Sequence, residues 1–193
     1  MGDEEVDILD EDGNPTGEVK LKSEAHAKGL WHKAVHVWIY TSKGKILLQK
    51  RAKQKTYLPG LLDVSAAGHV SAGQSFEEAA VREIEEELGV KVSASELKKV
   101  ETKKVAHDVP ETGILNREII QVYLLRLDKK LKDFKIQKEE VESLRLISLE
   151  EFESEVKNPE KAKSYTPYGD YFFDIIRFIR EELKQNKKKS KLN

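Results

Sequence analysis

The chain has no cysteine, which excludes disulfides, thiolate nucleophiles and metal sites built on thiolates. It also lacks an excess of either charge, with 34 Lys and Arg against 35 Asp and Glu. That balance excludes a partner such as a nucleic-acid polymer held by bulk electrostatics. No run approaches the roughly 18 apolar residues that a membrane span requires. The first residues, Met1-Gly2-Asp3-Glu4-Glu5, are acidic where a signal or transit peptide is basic. Val6 stands where myristoylation favours Ser or Thr. A cytoplasmic protein, monomer or homodimer, with no membrane or nucleic-acid partner is the expectation.

What the chain does have is charge, 36% of its 193 residues, against roughly 25% in an average domain. The charge is segregated. Residues 1–19 hold eight acids and no base, and residues 43–55 hold six bases and no acid. Residues 74–90 sum to −5, and residues 184–193 carry five lysines. The two ends read as solvated, so one domain over 1–183 and a basic flexible tail over 184–193 are expected. Asp10-Glu11-Asp12-Gly13 suggests a calcium loop, but Ile8 occupies the position where that loop starts with Asp. Asp12-Gly13 reads instead as a hairpin turn between residues 6–9 and 18–21.

Strand formers fill 34–40, 46–49, 61–67, 98–106, 114–127 and 141–147. Helical periodicity marks 75–88, about 148–156, and a last helix starting at Thr166-Pro167. Strands, then a helix, more strands and further helices imply a mixed α/β fold with a mainly antiparallel sheet. The 75–88 helix is the clearest element, opened by the capping box Ser75-x-x-Glu78 and stopped by Gly89. At about 100° per residue, Glu83, Glu86 and Glu87 share roughly one third of its circumference. Val81, Ile84 and Leu88 form the adjoining apolar stripe, and Glu78 and Glu85 turn to solvent. Three carboxylates on one face repel unless a cation sits among them, and a hard divalent ion with oxygen ligands suits the gap.

Gly68, Gln74 and the run Arg82-Glu83-Ile84-Glu85-Glu86-Glu87-Leu88-Gly89-Val90 resemble the signature of the Nudix hydrolases. Eight of nine fixed positions match over 23 residues, and Gln74 stands where the family has Glu. The resemblance implies a Nudix-type α/β/α sandwich with a mixed, mainly antiparallel sheet. It also implies a Mg²⁺ (or Mn²⁺) cofactor and hydrolysis of a small-molecule diphosphate, such as a nucleoside diphosphate derivative. By position Arg82 orients Glu83, while Glu83, Glu86 and Glu87 hold metal. Splitting a phosphoanhydride needs neutralised oxygens, an aligned water and a base. Among the bases of 43–55, Arg51 and Lys55 are the candidates for binding phosphate.

Beyond that signature, residues 30–35, 47–51, 59–60 and 65–69 are similar to the type 1 isopentenyl-diphosphate isomerases, a branch of the same fold. That resemblance spans residues 5–128. It places His26, His32 and His69 as a second metal or substrate set, and Glu118 as a catalytic carboxylate. Two departures oppose the isomerase reaction: Ala67 replaces the branch's cysteine, and Asn116 replaces a ligand glutamate. An alanine moves no proton. A hydrolase of the isomerase-like Nudix subgroup fits best, with an isomerase or a non-catalytic diphosphate-binding module as alternatives. Glu140 and Glu142 rival Glu118 as base, and His36 and His107 read as packed or hydrogen-bonded. Trp31 and Trp38 are open to stacking on a nucleobase or to core packing.

Overall fold

The computed structural model describes residues 3–109 and 112–189. The chain forms two compact units, one from residues 1–37, 66–86 and 90–123, the other from 38–65, 87–89 and 124–193. The fold is α/β, and the β1–β2, β1–β3, β3–β6, β4–β5 and β4–β9 strand pairs are antiparallel.

In the first unit, β1 (Glu5–Leu9) and β2 (Pro15–Leu21) make the expected hairpin. Its turn is closed by the Asp10 carboxylate, which accepts from the Asp12 and Asn14 amides at 2.9 and 2.8 Å. The sequence pattern did not disclose α1 (Lys22–Lys28). Its N-cap, Leu21, makes no side-chain cap, and only Gly29, left-handed at φ 63°, marks its end. Val6, Ile8 and Ala25 are buried there, with Leu30 against them. Next, β3 (Trp31–Tyr40) pairs with β1 and with β6 (Ala66–His69), in the register Ala34↔His69. β8 (Ile114–Arg126) pairs with β3 and with β7 (Lys98–Val109). Helix α2 (Phe76–Leu88) opens on the expected capping box: Glu78 accepts from the Ser75 amide at 2.8 Å, and Ser75 accepts from the Glu78 amide at 3.2 Å.

In the second unit, β4 (Lys45–Arg51) lies between β5 (Leu62–Asp63) and β9 (Val141–Ser148). The single strand expected over 61–67 is two, β5 and β6. Between them Ser65 Oγ accepts from the Ile39 amide and donates to the Leu47 carbonyl, at 2.8 and 2.6 Å. Ser148 caps α3 (Leu149–Lys157), and Pro159 opens the short α4 (Pro159–Ala162). The last helix, α5 (Tyr171–Lys189), starts four residues after Pro167, where the sequence suggested it would begin. The Thr166 amide is engaged with the Leu62 carbonyl at 2.9 Å, which holds that segment extended. Helix α5 also continues through 184–189, residues expected to be a loose tail, while 190–193 lie outside the described residues. Trp38 is fully buried among Phe152, Tyr171 and Phe172, its Nε1 donating to the Tyr171 hydroxyl at 2.9 Å. Packing, not stacking on a base, is therefore its role.

Arg145 grips both oxygens of Glu155 at 2.7 and 2.9 Å, and the Tyr165 hydroxyl donates to the same carboxylate at 2.6 Å. The Arg145 hydrogen bond, outweighing desolvation and helped by Tyr165, holds Glu155 at about 2. A carboxyl lowered in the folded state stabilises it above the ordinary value of 4.5, and this contribution is lost as pH falls towards 2. Glu155→Ala is expected to cost about 2–3 kcal/mol at pH 7. Urea melts should show the deficit, and it should narrow below the ordinary carboxylate range.

Candidate active site on helix α2 and a histidine cluster

Glu83 and Glu87 are buried, 8% and 5% exposed, whereas the neighbouring Glu86 on the same helix is open to solvent. Burying a carboxylate is costly unless charge and hydrogen bonds compensate. For Glu83 the compensation comes from Arg82, whose Nη1 donates to Glu83 Oε1 at 2.8 Å and to Glu86 Oε2 at 3.1 Å. Burial nevertheless dominates and pushes Glu83 up to about 7, with Arg82 opposing and Glu86 and Glu4 adding to the rise. In the second unit, Gln49 Nε2 donates to Glu87 Oε2 at 3.2 Å.

Gly68 is required by the same carboxylate. A Cβ on that residue would lie 2.0 Å from Glu83 Oε1, so only glycine lets Glu83 rest against the β6 backbone. Gly89 is required for another reason: at φ 65°, it passes within 2.6 Å (Cβ position) of the Lys135 side chain.

Arg82 reaches further than sequence indicated. Its Nη2 donates to the His69 carbonyl at 2.8 Å and to Glu4 Oε1 at 3.3 Å, and its Nε reaches Gln74 Oε1 at 3.4 Å. The acidic N-terminal segment, expected to be solvated, thus touches the signature arginine through Glu4. A hollow of about 470 Å³ runs along this helix, lined by Glu77, Glu78, Val81, Arg82, Glu85, Glu86 and Ala94. Its acidic lining disfavours a diphosphate unless a cation accompanies it.

The second constellation gathers His26 from α1, His32 from β3, His69 from the end of β6 and Glu118 from β8. One ligand atom of each lies within 4.8 Å of the others. His69 Nε2 is 3.1 Å from His26 Nε2 and 3.2 Å from Glu118 Oε1, and His32 Nε2 is 3.9 Å from that oxygen. Donors about 2.0–2.1 Å from a tetrahedral ion are about 3.4 Å apart, which these distances bracket. His32 Nδ1 is 2.8 Å from the Leu30 carbonyl, which can only accept. Neutral His32 therefore carries its proton on Nδ1 and offers the Nε2 lone pair. That Nε2 and His26 Nδ1 are buried without hydrogen-bond partners. Burial, and the neighbouring imidazoles, push His26 down to about 4, and burial likewise lowers His32. Burial would raise Glu118, but the His69 hydrogen bond and the charges of His69 and His32 outweigh it and hold the group at about 2. Asn116, where the isomerase branch has a ligand glutamate, donates to Glu118 Oε2 at 2.9 Å. It orients the carboxylate and adds no charge.

The remaining candidates are engaged elsewhere. Arg51 pairs with Asp63 at 2.9 Å and donates twice to the Tyr57 carbonyl. Burial opposes its charge, yet the carboxylate of Asp63 raises it above the ordinary arginine range. Lys55 is paired with Glu140, and Lys50 with Glu142 at 2.8 Å. Lys104 Nζ sits 4.5 Å from the centre of the Trp31 ring. His36 is buried on β3 and His107 is exposed on β7. Among the described residues, no helix is long and apolar enough to cross a membrane.

The chain is similar to known proteins over most of its length. The chain matches the NUDIX domain family model over residues 30–168. It is similar to Nudix hydrolase 3 of Arabidopsis thaliana, 37% identical over 185 residues, which cover 92% of this chain but only 24% of that protein. It is also similar to isopentenyl-diphosphate Delta-isomerase 2 of Photorhabdus laumondii, 35% identical over 127 residues, covering 66% of this chain and 69% of that one. A crystal structure from Deinococcus radiodurans superposes with a TM-score of 0.66 at 22% identity, covering 91% of this chain and 99% of that one, which shows the shared fold. With the Arg82–Glu83 pair seated on Gly68 and the family model spanning most of the sequence, the chain belongs to the Nudix hydrolase family.

Proposed function

We propose that the chain is a Mg²⁺- or Mn²⁺-dependent hydrolase that cleaves a phosphoanhydride in a nucleoside diphosphate derivative by water attack on phosphorus. The observation carrying this reading is helix α2, on which helical spacing puts Glu83, Glu86 and Glu87 on one side and two of the three are buried. Such a donor set suits a hard divalent ion, whose contribution is to neutralise the diphosphate oxygens. Arg82 fixes Glu83 and Glu86. Burial pushes Glu83 up to about 7 in the metal-free chain, and a cation beside it would favour the ionised carboxylate that can hold the ion or accept a proton from water. Glu118 is the second carboxylate proposed for proton transfer or substrate orientation. Arg51, braced by Asp63, and Lys55, able to exchange Glu140 for phosphate, are the proposed phosphate contacts. His26, His32, His69 and Glu118 suit a second cation, and three imidazoles favour a first-row transition ion over Mg²⁺.

The assembled histidine cluster favours one rival, an isomerase acting on isopentenyl diphosphate. Against it stands Ala67, whose methyl group transfers no proton, in a chain that has no thiol to replace it. The test is a panel containing ADP-ribose, a dinucleoside polyphosphate, NADH, coenzyme A and isopentenyl diphosphate, each with Mg²⁺ and with Mn²⁺. Release of a mononucleotide or phosphate from at least one compound is expected. Isomerisation of isopentenyl diphosphate would replace the hydrolase reading, and thermal stabilisation by a compound that is never turned over would make the chain a binding module.

A further inference from the structure

Arg82 is the hub of the α2 site, and its surroundings hold a substitution and a compensation. The Nudix signature has a glutamate at the position of Gln74. Here Gln74 Oε1 still faces Arg82 Nε at 3.4 Å, but it contributes no charge. On another side of the same guanidinium lies Glu4, with Oε1 3.3 Å from Nη2. Glu4 is held in place independently of that contact. Ser71 Oγ donates to its carboxylate, Lys22 Nζ lies 4.0 Å from Oε2, and the Lys22 amide donates to the Glu4 carbonyl at 2.7 Å. The β1 strand that follows is tied to the loop before α2. The Ala72 amide donates to the Glu5 carbonyl at 2.9 Å, and the Gly73 amide to Asp7 Oδ2 at 3.1 Å. The N-terminal hairpin thus presents a fixed carboxylate to the arginine whose own loop has lost one.

We propose that Glu4 is a positioning residue of the active site: it supplies Arg82 with the carboxylate that Gln74 does not, and so fixes the guanidinium that orients Glu83 and Glu86. This rests on the hydrolase reading for its effect on turnover, but not for its effect on metal binding. Partners one shell outside a metal site typically change affinity or rate by about 10–100-fold when removed.

Three variants of the full chain decide it: Glu4→Gln, Gln74→Glu and the two combined. Mg²⁺ affinity is read by calorimetric titration, kcat and KM with the compound turned over in the panel, and stability by thermal melting. Mg²⁺ is the probe because the imidazole cluster is a poor competitor for it. Glu4→Gln is expected to weaken Mg²⁺ binding and lower kcat by about tenfold each, with KM for the diphosphate within about twofold. Adding Gln74→Glu should restore both quantities to within about threefold of the original. A purely structural role for Glu4 predicts no such rescue, because a carboxylate at position 74 mends none of the contacts to Ser71, Lys22 or β1. Unchanged Mg²⁺ affinity in Glu4→Gln, or a loss that the second substitution leaves uncorrected, overturns the proposal. If the unaltered chain turns over no diphosphate, the hydrolase reading falls, and Glu4 is still judged by the loss and rescue of Mg²⁺ affinity.

Discussion

Glu86→Gln is expected to lower kcat for diphosphate hydrolysis by about three orders of magnitude, equivalent to about 4 kcal/mol of lost transition-state stabilisation. The expectation follows from what the substitution leaves alone. The Glu86 side chain is 45% exposed, and its contact is with Arg82 at 3.1 Å. An exposed carboxylate–arginine pair contributes little to stability, so the melting temperature should shift by no more than about 0.5 kcal/mol would cause. Glutamine keeps the size of the side chain and can still accept from Arg82. It removes only the negative charge from the α2 face. The same substitution at Glu83 would be harder to interpret, because that buried carboxylate packs on Gly68 and anchors Arg82. Steady-state kinetics over a range of Mg²⁺ concentrations makes the measurement. A fall in kcat that excess Mg²⁺ partly reverses would identify Glu86 as a ligand, while turnover within threefold of the original would remove it from the site.

The α2 face was legible in the sequence because its information is local. A capping box, a 3.6-residue period and a stop glycine fix the helix, and helical geometry then puts residues 83, 86 and 87 together. The histidine cluster is different. Its four residues come from four elements and meet through the pairing of β3 with β1, β6 and β8, so no spacing rule announces them. Family resemblance was the only route to it. The basic 43–55 segment likewise carried no local sign of its acidic partners. Lys50 finds Glu142 along the β4–β9 pairing, and Lys55 finds Glu140 just beyond the ends of those strands. Glu4 carried no signal at all, being one acid among eight in residues 1–19 until β1 docked beside the loop before α2. Local periodicity reveals which residues share a face, and tertiary pairing decides which charges stay available.

The histidine cluster should bind one transition-metal ion per chain, and His69→Ala should weaken that binding by more than about 100-fold. Co²⁺ is the suitable probe, because its visible absorption reports both occupancy and coordination geometry. His69 is the residue to remove, as its Nε2 lies within 3.2 Å of both His26 Nε2 and Glu118 Oε1. Losing it separates the remaining donors. The pH dependence gives a second and independent reading. A histidine must be neutral to bind metal, and an ordinary one is half protonated near 6.5. Burial holds His26 near 4, so that imidazole stays neutral well below 6.5, and burial lowers His32 as well. Co²⁺ should therefore remain bound at pH 5.5, where a site of exposed histidines releases it. The same shift has a cost in the metal-free protein. A histidine lowered in the fold takes up its proton more readily when unfolded, so stability is full above about 6.5 and declines as pH falls towards 4. Metal-free chain should melt progressively lower over that interval, and bound Co²⁺ should hold the melting temperature nearly level through most of it. Equal pH profiles with and without Co²⁺, or undiminished absorption in His69→Ala, would mean that the four side chains form a hydrogen-bonded polar cluster and not a metal site.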